Sequence, residues 1–88
     1  MKLIIAIIKD ADNDKVSRRL TDENYRVTYI ASTGGFFRSG RSTLLIGVEP
    51  ERVQRALDLI RETTTIPESD EEKRATIFVL DVDEYSQI

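Results

Sequence analysis

The chain contains no cysteine, no histidine and no tryptophan. Without cysteine there are no disulfides, no thiolate nucleophile and no cysteine-ligated zinc. Without histidine, the usual triads and most proton shuttles are excluded as well. No apolar run approaches the length needed to cross a bilayer. The longest, Leu3 to Ile8, is also too short for a secretory leader and is closed by Lys9 and Asp10. Glycine is sparse, and three of the 4 sit together at Gly34, Gly35 and Gly40. A basic excess is missing too: 16 acidic residues face 13 basic ones, a net charge of -3. An acidic chain is poorly suited to nucleic-acid polymers, whose affinity comes largely from neutralised phosphates. These absences point to a cytoplasmic protein that inserts in no membrane and binds a ligand or partner.

What is present reads as one domain over residues 1–88, small enough that self-association would add usefully to its buried area. Lys2 to Lys9 is a strand, apolar on both faces as a central strand is. Asp10 and Asp12 suit the start of a helix from about Ala11 to Asn24, with Val16 and Leu20 on its apolar side. Tyr25 to Ser32 alternates, with Tyr25, Val27, Tyr29 and Ala31 on one face and Arg26, Thr28 and Ile30 on the other. Thr33 to Arg41 is a loop, expected to move freely without ligand. Ser42 to Val48 is a third strand. Pro50 opens a second helix, in which Val53, Ala56, Leu57 and Ile60 recur at helical spacing. A charged connection runs to Arg74, Ala75 to Val82 is a fourth strand, and Asp83 to Ile88 is a tail. The order β-α-β-β-α-β predicts an α+β, ferredoxin-like fold with a four-stranded antiparallel sheet.

Four patterns carry chemistry. Asp10, Asp12 and Asp14 imitate the start of a calcium loop, but Lys15 stands where the glycine is needed and Thr21 where the glutamate is needed. Gly35 to Ser42 imitates a phosphate-binding loop with arginine for lysine. The following segment is strand-like, so the helix N-terminus that the mechanism requires is absent. Glycine amides with Arg38 and Arg41 can still meet a small anion. Asn24, Arg26 and Thr28 place an amide, a guanidinium and a hydroxyl in a row leading into that loop. Phe36 and Phe37 at a loop tip call for cover, from a neighbouring subunit or a stacked base. An RNA-recognition module shares the element order, yet its aromatics belong inside the third strand, where this chain has none.

Taken together, Met1 to Ile7, Asn24 to Thr28, Ser32 to Gly40, Ala75 to Leu80 and Gln87 closely resemble the cyclic di-AMP receptor family of PII-like signalling proteins. The resemblance implies a PII-like homotrimer without enzymatic activity or cofactor, and ligand sites in the clefts between subunits. It implies a pocket at Asn24, Arg26, Thr28, Gly35, Phe36, Phe37, Gly47, Phe78 and Gln87. Arg41 stands where the family usually has an amide, and is counted with the ligand-binding candidates. The ligand implied is cyclic di-AMP or a related adenine nucleotide, and the output a change in loop conformation and in the choice of a downstream protein. The family's nucleotide sensors carry a long glycine-rich loop before the last strand. Here that segment, about Thr64 to Arg74, is short and charged. This departure leaves a second reading, a divergent trimeric interaction module that has lost nucleotide sensing.

Overall fold

The computed structural model describes residues 1–33, 40–69 and 71–88. Four strands form one antiparallel sheet: β1 (Lys2–Lys9), β2 (Arg26–Thr33), β3 (Arg41–Val48) and β4 (Ala75–Asp81), in the spatial order β2-β3-β1-β4. Helices α1 (Asn13–Asp22) and α2 (Val53–Thr63) are the crossovers of two interleaved βαβ units. This is the ferredoxin-like α+β arrangement expected from the element order. The expected mobility of the loop Thr33 to Arg41 concerns mainly residues 34–39, which lie outside the described residues, as do Gly35, Phe36 and Phe37.

The core lies between the sheet and the helices. Ile4, Ala6 and Ile8 of β1 and Leu44, Ile46 and Val48 of β3 meet Val16 and Leu20 of α1 and Ala56, Leu59 and Ile60 of α2. Register fixes the other face. Leu3 stands opposite Gly47 and Leu80, Ile5 opposite Leu45 and Phe78, and Ile7 opposite Thr43 and Thr76. Side chains alternate along a strand, so these residues share the face that no helix covers.

Both helices are entered through a single 3-10 turn, at Asp10–Asp12 and Pro50–Arg52, so α1 starts two residues later than its sequence predicts. Asp12 is buried and has a task other than capping its own helix. Its carboxylate accepts hydrogen bonds from the Thr65 backbone N–H, at 3.0 Å, and from the Thr65 hydroxyl. The start of α1 is thereby tied to the end of α2. Next to it, Asp10 accepts a hydrogen bond from the Ser42 hydroxyl at 2.6 Å, and its N–H donates to the Gly40 carbonyl at 3.0 Å.

The end of α1 corrects the sequence reading. Asn24 belongs to a helix stop, and β2 begins only at Arg26. Asn24 has φ 68°, its N–H donates to the Thr21 carbonyl, and the Tyr25 N–H donates to the Leu20 carbonyl, each at 3.0 Å. This is the Schellman ending, with an αL residue at C′ and an apolar contact across it, here Leu20 with Tyr25 in the core. A second correction concerns β2. Its register slips between Tyr29 and Ala31, leaving Ile30 as the extra residue of a bulge, so Ala31 stands opposite Thr43 and the simple alternation stops there.

Glu23 links the helices. It accepts two hydrogen bonds from Arg55, at 3.0 and 2.7 Å, and one from Arg19 at 2.9 Å. Arg52 donates to the Glu23 carbonyl and lies 4.0 Å from the centre of the Tyr25 ring, while the Tyr25 hydroxyl donates to the Arg52 carbonyl.

Two predictions follow from this end of the molecule. Replacing Asn24 with Val forces a β-branched residue into αL and should cost about 1–2 kcal/mol, whereas Asn24→Gly should cost nothing; urea unfolding curves compare them. The Arg55 guanidinium, helped by Arg19, holds the Glu23 carboxyl below its ordinary value of 4.5. A depressed folded-state value means the contribution is complete above that ordinary value and lost as pH falls below it. Melting temperature should therefore drop on acidification through this range, and drop less steeply in Glu23→Gln.

Candidate functional site

β2 is the edge strand beside β3, and its pairing places Arg26 opposite Gly47 and Thr28 opposite Leu45. Arg26 and Thr28 sit two residues apart on the uncovered face, before the bulge at Ile30. Both are exposed. The same corner receives the chain ends. Met1 precedes β1, and the tail leaves β4 with the Val82 N–H donating to the Met1 carbonyl at 3.2 Å. That bond returns the tail across the mouth of the sheet, and Tyr85 and Gln87 come to face Arg26 and Thr28.

The result is a cavity of about 570 Å³ lined by Met1, Leu3, Leu45, Gly47, Val82 and Tyr85 around Arg26, Thr28 and Gln87. This is within the usual size range of small-ligand pockets. One wall is polar, with a guanidinium, a hydroxyl and an amide. The floor is apolar. A Cβ at Gly47 would come 2.8 Å from the Met1 methyl group, the end of a flexible side chain that can move aside. The thioether of Met1 is the flexible cover of that floor.

These residues can recognise a ligand. Arg26 can take a phosphate through two parallel hydrogen bonds, with Thr28 as a further donor. Tyr85 and the aliphatic floor can meet a flat heterocycle. Among the described residues no three histidine, cysteine, aspartate or glutamate side chains are placed to hold a metal ion. No described helix is long and apolar enough to cross a membrane.

Of the residues singled out from sequence, Arg26, Thr28, Gly47 and Gln87 come together here. Asn24 is at the helix stop, outside the cavity lining. Arg41 is the first residue of β3, opposite Lys9 and Thr33, at the far end of the sheet from Gly47. Phe78 is half exposed on the same face as Thr28, but the row Thr28, Leu45, Ile5, Phe78 spans all four strands. Strand spacing puts Phe78 about 14 Å from Thr28. Met1, Leu3, Leu45, Val82 and Tyr85 line the pocket without having been picked out as ligand contacts. Leu3 and Leu45 follow from period two once the register is known.

Residues 1–69 match the cyclic-di-AMP receptor family. The chain belongs to that family. The match runs from β1 through α2 and includes Arg26, Thr28 and Gly47. The chain is also similar to a solved structure that extends over β4 and the tail, the crystal structure of a functionally unknown protein from Pediococcus pentosaceus ATCC 25745. The two share 35% identity with a TM-score of 0.78, over 99% of this chain and 96% of that one.

Proposed function

We propose that this member of the cyclic-di-AMP receptor family is a non-catalytic, PII-like signalling protein that holds cyclic di-AMP in clefts between the subunits of a homotrimer. The observation that carries the reading is the convergence of Arg26, Thr28, Gly47 and Gln87 on one cavity at the edge of an uncovered apolar sheet face. A cyclic dinucleotide has two phosphates and two purines. Arg26 and Thr28 suit a phosphate, and the glycine floor with Tyr85 suits a base.

The uncovered face supports assembly. Leu3, Ile5 and Ile7 of β1 lie between Leu45 of β3 and Phe78 and Leu80 of β4, and the last two are 50% and 46% exposed. Fully burying one such side chain contributes about 1.5–3 kcal/mol, so covering the exposed part of six favours association by several kcal/mol. In a trimer built on this face, Phe78 of a neighbouring subunit can complete the site that Phe78 of the same chain is too distant to reach. A cytoplasmic location goes with this reading, because a nucleotide messenger is made and read inside the cell.

Light scattering should give a mass of about 30 kDa, three times the 10.1 kDa of the chain. A monomer at micromolar concentration would remove the shared cleft.

Calorimetry with cyclic di-AMP tests the ligand. Hydrogen bonds to charged groups contribute about 1.5–3 kcal/mol, so Arg26→Ala should weaken binding by roughly ten- to a hundredfold. Its mass and its melting temperature without ligand should match those of the unsubstituted protein, since Arg26 is exposed and enters no ion pair among the described residues. Loss of trimer in Arg26→Ala would assign the side chain to assembly. A trimer without affinity for cyclic di-AMP would favour the interaction module.

A further inference from the structure

The turn from β1 into α1 runs from Lys9 to Asp12, and three of its residues hold other parts of the chain. Lys9 holds Glu72, Asp10 holds Gly40 and Ser42, and Asp12 holds Thr65. We propose that this turn is a clasp: it makes the entry into β3 and the connection from α2 to β4 respond as one unit. Whatever engages one of these segments then shifts the other. The clasp stands apart from the cavity at Arg26, which lies beside Gly47 at the other end of β3.

The entry into β3 is held twice by one residue. The Asp10 N–H donates to the Gly40 carbonyl at 3.0 Å, and the Asp10 carboxylate accepts from the Ser42 hydroxyl at 2.6 Å. Ser42 is buried, so its hydroxyl depends on that acceptor. The connection is held near both its ends by the same turn. Close to α2, the Thr65 N–H and hydroxyl donate to the Asp12 carboxylate, at 3.0 and 2.5 Å. Close to β4, Glu72 pairs with Lys9 at 2.5 Å, both side chains being partly buried. Glu72 also feels the entry into β3 directly. Its carboxyl is held below the ordinary value foremost by the hydrogen bond from Lys9, and Arg41 acts in the same direction. Arg41 stands opposite Lys9 in the sheet and follows Gly40 in the chain.

Three attachments to one turn act together when the turn itself is stiff. Asp10–Asp12 is a 3-10 turn closed by the Asn13 N–H donating to the Asp10 carbonyl. It is fixed on one side by Lys9, paired with Arg41 in the sheet, and continues on the other directly into α1. Burial makes the attachments hard to release singly. Asp12 is buried, and without Thr65 its carboxylate would keep Lys15, which is exposed and 3.8 Å away. Among its described residues the connection contains neither helix nor strand, so its anchors set its position. A displacement of Gly40 to Ser42 therefore reaches Thr65 and Glu72 through contiguous bonded groups, by way of Asp10, Asp12 and Lys9.

Amide hydrogen exchange in the whole protein, read residue by residue by NMR, tests the clasp without any ligand. Ser42→Ala removes a bond to Asp10. It should speed exchange at the Thr65 and Glu72 amides, to which Ser42 makes no bond, by roughly five- to tenfold, the equivalent of one lost hydrogen bond. Thr65→Val removes the hydroxyl bond to Asp12 and should speed the Asp10 and Ser42 amides by a similar factor. Glu72→Gln, which weakens the bond to Lys9, should speed both sets, so the test does not depend on one variant folding. In all of these proteins the clasp amides should exchange faster than the Ile4 amide at the centre of β1, which marks opening of the whole fold. Acceleration confined to the substituted segment in each variant would show independent anchors and overturn the proposal. So would clasp amides that exchange only as slowly as Ile4, since the two segments would then open with the whole fold and not as a unit of their own.

Discussion

β1 is apolar on both faces, and a strand of that kind has to be covered twice. One face is covered within the chain. Ile4, Ala6 and Ile8 are fully buried under the two helices. The other face, with Leu3, Ile5 and Ile7, is covered only partly by its neighbours in the sheet. Because β1 pairs with β3 on one side and β4 on the other, its double demand spreads across the centre of the sheet. Helices on one side make a stable subunit. A second apolar surface on the opposite side makes a reason to assemble. The cavity lies where that surface reaches its polar border at Arg26 and Thr28.

The polar groups show a similar division. Buried and half-buried charges knit the elements together: Asp12 joins α1 to the end of α2, Glu23 joins the other ends of the two helices, and Lys9 joins β1 to the connection before β4. The carboxyls of Glu23, Glu72 and Asp81 are all held below their ordinary values, foremost by hydrogen bonds from Arg55, Lys9 and Lys2. Each of these groups contributes most above the ordinary carboxylate range and loses its contribution below it. What this network leaves over is informative. Among the described residues Arg18, Arg26, Arg41, Arg52, Arg61, Lys73 and Arg74 enter no ion pair, and of these Arg26 is the one that lines the cavity with Thr28 and Gln87.

Much of this was legible from the sequence, for reasons that can be named. Period two in Arg26 and Thr28, and helical spacing in Val53, Ala56, Leu57 and Ile60, are local signals, and local signals survive into the structure. Asn24 misled because it falls two residues before Arg26, in phase with the strand. What removes it from β2 is the αL turn that ends α1, and asparagine is compatible with both roles. The bulge at Ile30 was invisible, since an extra residue in one strand leaves no mark on composition. Phe78 was legible as a strand residue on the proper face, but its distance from Thr28 depends on a strand order that pattern alone does not measure. Tyr85 and Val82 belong to a tail without periodicity, and its place at the pocket, beside the bond from Val82 to Met1, is a matter of tertiary structure.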